Sequence, residues 1–186
     1  QALQRKVIRT SFAEQAYLHL IEQLKKQIRA IDTEVRRLIE SDPTFKEMLL
    51  LLLSVPGVGL LLASHFILLA QFSLEYKLLA SFLGIAPHEH SSGTSVYKPA
   101  TSRHFGPPAI RKLLYLAACS VCTHRPQFRT YLARKTQQGK PARLVLNNVE
   151  NKLIRIMCAV LSSKTAFIES YHSVQPLALQ KALTVS

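Results

Sequence analysis

The chain has 186 residues, 48% of them apolar, and a formal net charge of +13 with an isoelectric point near 10. That much apolar sequence, uninterrupted by acidic or Gly/Ser tracts, excludes a disordered chain and is enough for one sizeable domain or a smaller domain with an appendage. Three cysteines, odd in number and set in helical sequence, speak against a secreted disulfide scaffold and for a reducing compartment, the cytoplasm.

The charge is unevenly distributed. Residues 1–47 hold nine Lys/Arg against seven Asp/Glu, whereas residues 48–186 hold fifteen against only Glu75, Glu89, Glu150 and Glu169, a balance of +11. A region that basic suits a polyanion, of which nucleic acid is the commonest. No secretory leader is legible, and a start at Gln1 rather than Met leaves room for a preceding region.

In chain order, Tyr17, Ile21, Leu24, Ile28, Ile31, Val35 and Leu38 recur at alternating steps of four and three, an a/d seam with charged flanks. The seam fits a coiled coil that would join copies of the chain through residues 17–38, and equally an amphipathic helix packed on its own domain. Asp42-Pro43 supplies an N-cap and a first-turn proline, so a new helix starts there. It runs into Ser54-Val55-Pro56-Gly57-Val58-Gly59, after which an apolar run resumes to Ala70. This reads as helix, hairpin, helix, with the free amides and positive dipole end of the second helix near Gly59 open to a phosphate. Two other readings stand beside it. One is a pair of core helices joined by a turn with no ligand. The other is a membrane span over residues 48–70, against which Pro56, Gly57 and Gly59 break the run and Ser54, Ser64 and His65 sit at mid-depth.

Residues 75–83 predict a short helix stopped by Gly84. Residues 85–106 are rich in turn formers and read as a long irregular loop of functional type, without a convincing strand. Pro107-Pro108 opens a helix to about Thr123 that bears Arg111 and Lys112 in its first turns, and Pro126 restarts one that ends near Gly139. Pro141 opens the last, with Leu146, Val149, Leu153, Ile156, Met157 and Val160 on one face. The expected fold is mainly α: a coiled-coil-like helix over residues 1–41, a compact helical domain with the helix-hairpin-helix element over 42–165, and a C-terminal tail over 166–186.

Cys119-x-x-Cys122 with His124 lacks the second ligand pair of a structural zinc site and reads as helix core. His88-Glu89-His90 reads as solvent-facing, and four singly placed acids cannot supply two-metal nuclease chemistry, so no metal is expected on this chain. What remains is Ser91-Ser92-Gly93, in a loop flanked by Lys98, Arg103, Arg111 and Lys112. A serine hydroxyl can attack phosphorus and hold a broken strand as phosphoserine when it is activated and cations stabilise the charge. Otherwise the same tripeptide is only a turn signal. These four cations, with Gly57 and Gly59, are the expected nucleic-acid contacts.

Several short motifs follow one another between about residues 50 and 161: Ser54-Val55-Pro56-Gly57-Val58-Gly59 with Ala63, Phe82-Leu83-Gly84-Ile85-Ala86-Pro87, Ser91-Ser92-Gly93-Thr94-Ser95-Val96, and Gly106 with Arg111, Leu114 and Ala117. Tyr131, Gly139-Lys140 and Asn151-Lys152-Leu153 extend the series. In these residues the chain resembles the C-terminal domain of insertion-sequence transposases related to the pilin-gene-inverting recombinases, some of which are guided by a bridge RNA. The heptad helix is similar to the linker that joins that family's two halves. The resemblance implies a composite active site, in which an N-terminal RNase H-like domain binds magnesium through an acidic tetrad and a serine of the C-terminal domain is the nucleophile. By motif that serine is Ser92, directly before Gly93, with Ser91 as second choice. The acidic domain is not among these residues, so the chain alone is expected to be inactive and to hold no cofactor itself, magnesium belonging to the N-terminal domain. The implied partners are DNA and a second copy, with a guide RNA left open and no membrane. Pro107 departs from the Asn or Asp usual in the family after the glycine at 106. On the residues alone, a non-catalytic helix-hairpin-helix protein that binds nucleic acid or scaffolds an assembly fits as well.

Overall fold

The computed structural model describes residues 11–92, 96–102 and 106–169. These form seven helices and one two-stranded sheet, in the order α1 (Ser11–Glu40), α2 (Pro43–Leu53), α3 (Leu60–Ala70), α4 (Tyr76–Phe82), β1 (Pro87–Ser92), β2 (Val96–Ser102), α5 (Pro108–His124), α6 (Pro126–Gln137) and α7 (Ala142–Ser163). The fold is mainly helical, as composition and periodicity predict.

Local signals set most helix starts. The Asp42 carboxylate accepts from the amides of Thr44 and Phe45 at 2.7 and 3.2 Å, and Pro43 occupies the first turn, where its missing N–H costs nothing. Prolines likewise open α5 and α6. Gly84, at φ +66°, ends α4 with the amides of Ile85 and Ala86 both donating to Ala80 O.

The core lies between α2, α3, α5 and α7, where Leu49, Leu52, Phe66, Leu114, Leu153 and Met157 are fully buried. The face read from α7 is the buried one: Val149, Leu153, Met157 and Val160 all lie in the core. α1 is different. Its seam residues from Tyr17 to Ile31 and Leu38 are exposed, Ile28 at 57%; of the seam only Val35 is half-buried, with Asp32 and Ile39 beside it. Packing on its own domain is therefore confined to the last turns of α1, and over the rest the stripe is uncovered in a single chain.

One expectation fails. Residues 85–106 are not an irregular loop, because β1 and β2 pair as an antiparallel hairpin, Pro87 opposite Ser102 and Ser92 opposite Val96. Its register slips between His88 and His90, opposite Pro99 and Ala100, so the proline falls where the ladder is already broken. The membrane reading fails too. α2 and α3 are separate helices of 11 residues, and among the described residues no helix is long and apolar enough to cross a membrane.

Lys164 adopts the left-handed conformation at the end of α7, and the chain turns back across the domain, where the Phe167 amide donates to Ser54 Oγ at 2.8 Å. Of the expected tail, residues 170–186 lie outside the described residues.

Candidate functional site

The hairpin leaves the helical domain at a root that two elements, α4 and α7, hold. Ile85, 2% exposed, turns its carbonyl to α7, where the side-chain amides of Asn147 and Asn151 both donate to it at 3.0 and 3.2 Å. Asn151 also donates to the backbone carbonyl of Asn147 at 3.1 Å, which ties its side chain to the preceding turn of α7. The returning strand meets α4 at Gly106, which sits at φ +83°; a Cβ there would lie 2.3 Å from Phe82 O, an approach only glycine permits. The expected loop between α4 and α5 is thus a rigid-rooted arm.

Ser91 and Ser92 are the last two residues of β1, opposite Tyr97 and Val96 in register. Where the sequence offered a turn signal, these two serines end a strand; Gly93 lies outside the described residues, as does Arg103. Lys98 is in β2, opposite His90. Arg111 and Lys112 are in the first turn and a half of α5, directly after the returning strand, Arg111 half-buried and Lys112 exposed.

Gly57 and Gly59 separate. Gly57, at φ +79°, presents its missing side chain to α5, where a Cβ would lie 2.7 Å from Val121 Cγ1 and 3.0 Å from Ala117 O. The close approach it permits is to the protein's own helix. Gly59 is the N-cap of α3 in extended conformation, with no side-chain cap and nothing within 4 Å of a Cβ built on it. The amides of the first turn of α3 therefore open beside an uncrowded backbone, the geometry that a phosphate oxygen accepts.

Three features of the site were not read from the sequence. Asn147 is the first; its signal was an Asn at four residues' spacing from Asn151, which puts the two on one face of a helix. Glu150 is the second, the one buried charged residue among those described. Burial pushes its carboxyl up to about 7, against the downward pull of Arg111 and Arg143. The third is a cationic face on α6 and α7. Lys152 Nζ lies 5.7 and 5.9 Å from the Phe128 and Tyr131 ring centroids, and Arg134 stacks on Tyr131 at 5.8 Å. Arg125, Arg129 and Arg143 are exposed nearby in sequence, and Glu169, 3.8 Å from Arg125, offsets little of this charge.

Other chemistry falls away. Among the described residues no three His, Cys, Asp or Glu side chains group as metal ligands. Burial pushes the Cys158 thiol up to about 11 and the Cys122 thiol upward, which makes neither a thiolate nucleophile at neutral pH. A cavity of about 500 Å³ between α6, α7 and residues 165–169 is lined by none of the site residues expected from sequence.

Residues 49–133, from within α2 to α6, match the family described as Transposase IS116/IS110/IS902. Over that stretch the chain is similar to the IS110-family transposases. It is 28% identical over 149 residues to the pilin gene-inverting protein of Moraxella lacunata, covering 78% of this chain and 46% of that one. An IS110 insertion-element protein of Streptomyces coelicolor is 29% identical over 148 residues, covering 78% and 35%. A probable family 20 transposase of Pseudomonas aeruginosa is 27% identical over 157 residues, covering 80% and 46%. The chain thus spans less than half the length of each of these relatives.

Proposed function

We propose that this chain is the strand-transfer half of a DNA recombinase, gripping DNA by its phosphates and supplying Ser92 as the nucleophile, with Ser91 as the alternative. The observation that carries this reading is the hairpin: it holds the serine pair at the end of β1, with Lys98 in the adjacent strand and Arg111 and Lys112 at the root. In the step assigned to Ser92, a bond forms from its Oγ to a DNA phosphorus as a P–O ester bond of the strand breaks. The hydroxyl proton ends on the leaving oxygen, so nothing is oxidised and no co-reactant is consumed. Lys98, Arg103, Arg111 and Lys112 are assigned to the phosphate charge, and the amides behind Gly59 to a second backbone contact. Gly57 is assigned to the fold that places them.

The acidic tetrad and its magnesium are assigned to a region outside this sequence, and no step is derived through them. Cytoplasmic DNA is the substrate in this reading, in a compartment that keeps Cys119, Cys122 and Cys158 reduced. The relatives named above bring gene inversion and transposition as the reaction class, and a guide RNA as an open partner.

The test joins this chain to an acidic-tetrad domain and supplies magnesium and cognate DNA. A covalent protein–DNA adduct through phosphoserine is expected, lost in Ser92→Ala with fold and non-specific affinity unchanged, and partly retained in Ser91→Ala. An adduct that persists in Ser92→Ala and vanishes in Ser91→Ala moves the assignment by one residue. Strand transfer unaffected by either change removes the nucleophile from this hairpin. Binding to duplex DNA should fall with salt on a log–log slope on the order of −4 or steeper, because phosphate neutralisation releases counterions.

A further inference from the structure

We infer that Asn147 and Asn151 are positioning residues for the hairpin: their amides, both bonded to Ile85 O, set the angle at which β1 leaves the helical domain and so the place of the serine at its far end. The inference rests on the reading of that serine as nucleophile. Nothing in the family match covers it, because the matched stretch ends at residue 133 and both asparagines lie beyond it.

The argument is one of leverage. The six residues of β1 span about 20 Å at about 3.3 Å each. A tilt of about 10° at the root would displace the far end by about 3 Å, while about 1 Å of misplacement can lose about a hundredfold in rate. A nucleophile on such an arm needs a stiff root. The hairpin supplies little stiffness itself, since it is a lone pair of strands with a register slip near its base, between His88 and His90. Gly106 braces the returning strand against α4, and the Ile85 and Ala86 amides hold the outgoing one to Ala80 O. These contacts all lie on α4. Among the hydrogen bonds of the described residues, those of the asparagine amides join the root to α7, the longest helix of the core, across 62 and 66 residues of sequence. Ile85 O is buried, so no water replaces a lost donor cheaply. Two donors on one carbonyl, at different points along α7, also restrain rotation about the bond that a single donor would leave free.

The test replaces both residues, Asn147→Leu with Asn151→Leu, which keeps the branched shape and heavy-atom count and removes the donors. Amide hydrogen exchange by mass spectrometry on the folded chain should rise about tenfold over residues 86–92 and 96–102 and stay within about twofold in α2, α3 and α5. In the protein joined to its acidic domain, adduct formation should fall at least tenfold while duplex affinity holds. Asn147→Asp, isosteric but without the donor, should shift hairpin exchange in the same direction, and it remains informative if the double variant does not fold. Unchanged hairpin exchange, an equal rise in every helix, or an Asp variant that behaves as the parent overturns the inference. If the parent itself forms no adduct, the nucleophile reading falls, and the clamp is still decided by exchange alone.

Discussion

Substituting alanine at the two glycines between α2 and α3 separates packing from phosphate binding, because their surroundings differ so sharply. At Gly57 the added methyl meets two penalties. The backbone is left-handed at φ +79°, which costs a side-chain-bearing residue about 1–2 kcal/mol. The new Cβ also falls 2.7 Å from Val121 Cγ1 and 3.0 Å from the Ala117 carbonyl, and the second cannot rotate aside, so α5 must move. Overpacking of this kind costs about 1–3 kcal/mol, so Gly57→Ala should destabilise by about 2–5 kcal/mol. At Gly59 the backbone is extended, at φ −99° and ψ 177°, and a Cβ meets nothing within 4 Å. Alanine there forfeits a modest N-cap preference and restricts the unfolded chain, two small effects of opposite sign, for a net change of about 1 kcal/mol or less. Urea denaturation measures both, with the midpoint shifting at constant slope. Duplex-DNA titration of the folded fraction completes the comparison: Gly59→Ala should reduce affinity, the methyl standing beside the open amides of α3, whereas folded Gly57→Ala should lose little. A Gly57→Ala variant within about half a kcal/mol of the parent but deficient in DNA binding would refute this assignment.

Glu150 predicts a pH dependence of stability. Its folded value of about 7 lies above the ordinary 4.5, so the folded chain holds an extra proton between those values; stability is full below about pH 4.5 and declines as pH rises through about 7. The loss is on the order of 3 kcal/mol, and Glu150→Gln should flatten that slope in thermal unfolding between pH 4.5 and 8, whereas an unchanged slope removes Glu150 as its source. The uncovered seam of α1 predicts self-association by light scattering. Ile28→Asp should abolish it without destabilising the domain, since Ile28 is 57% exposed in a single chain, and equal masses before and after would end the coiled-coil reading.

Much of the helical frame was legible because helix starts are local events. Asp42-Pro43, Pro108 and Pro126 act within one turn of where they stand, and a seam or a buried face such as Val149, Leu153, Met157 and Val160 repeats along one element. Ser92 was legible only as a residue before a glycine. The hairpin that carries it was not, because β1 and β2 have no alternating apolar run; what makes them strands is their hydrogen bonding to each other, and Pro87, Pro99 and the serines among their residues read as turn formers. Gly57 was expected to contact nucleic acid, whereas the space its missing side chain leaves faces α5, some sixty residues on. The same holds for Asn147 and Asn151, whose shared acceptor at Ile85 lies 62 and 66 residues away, and for Glu150, whose carboxyl is raised by burial that exists only once the helices have packed. Local chain stereochemistry and periodicity determined the elements. Tertiary contact decided what each polar group in the site faces, since desolvation and hydrogen-bond partners are properties of the packed chain.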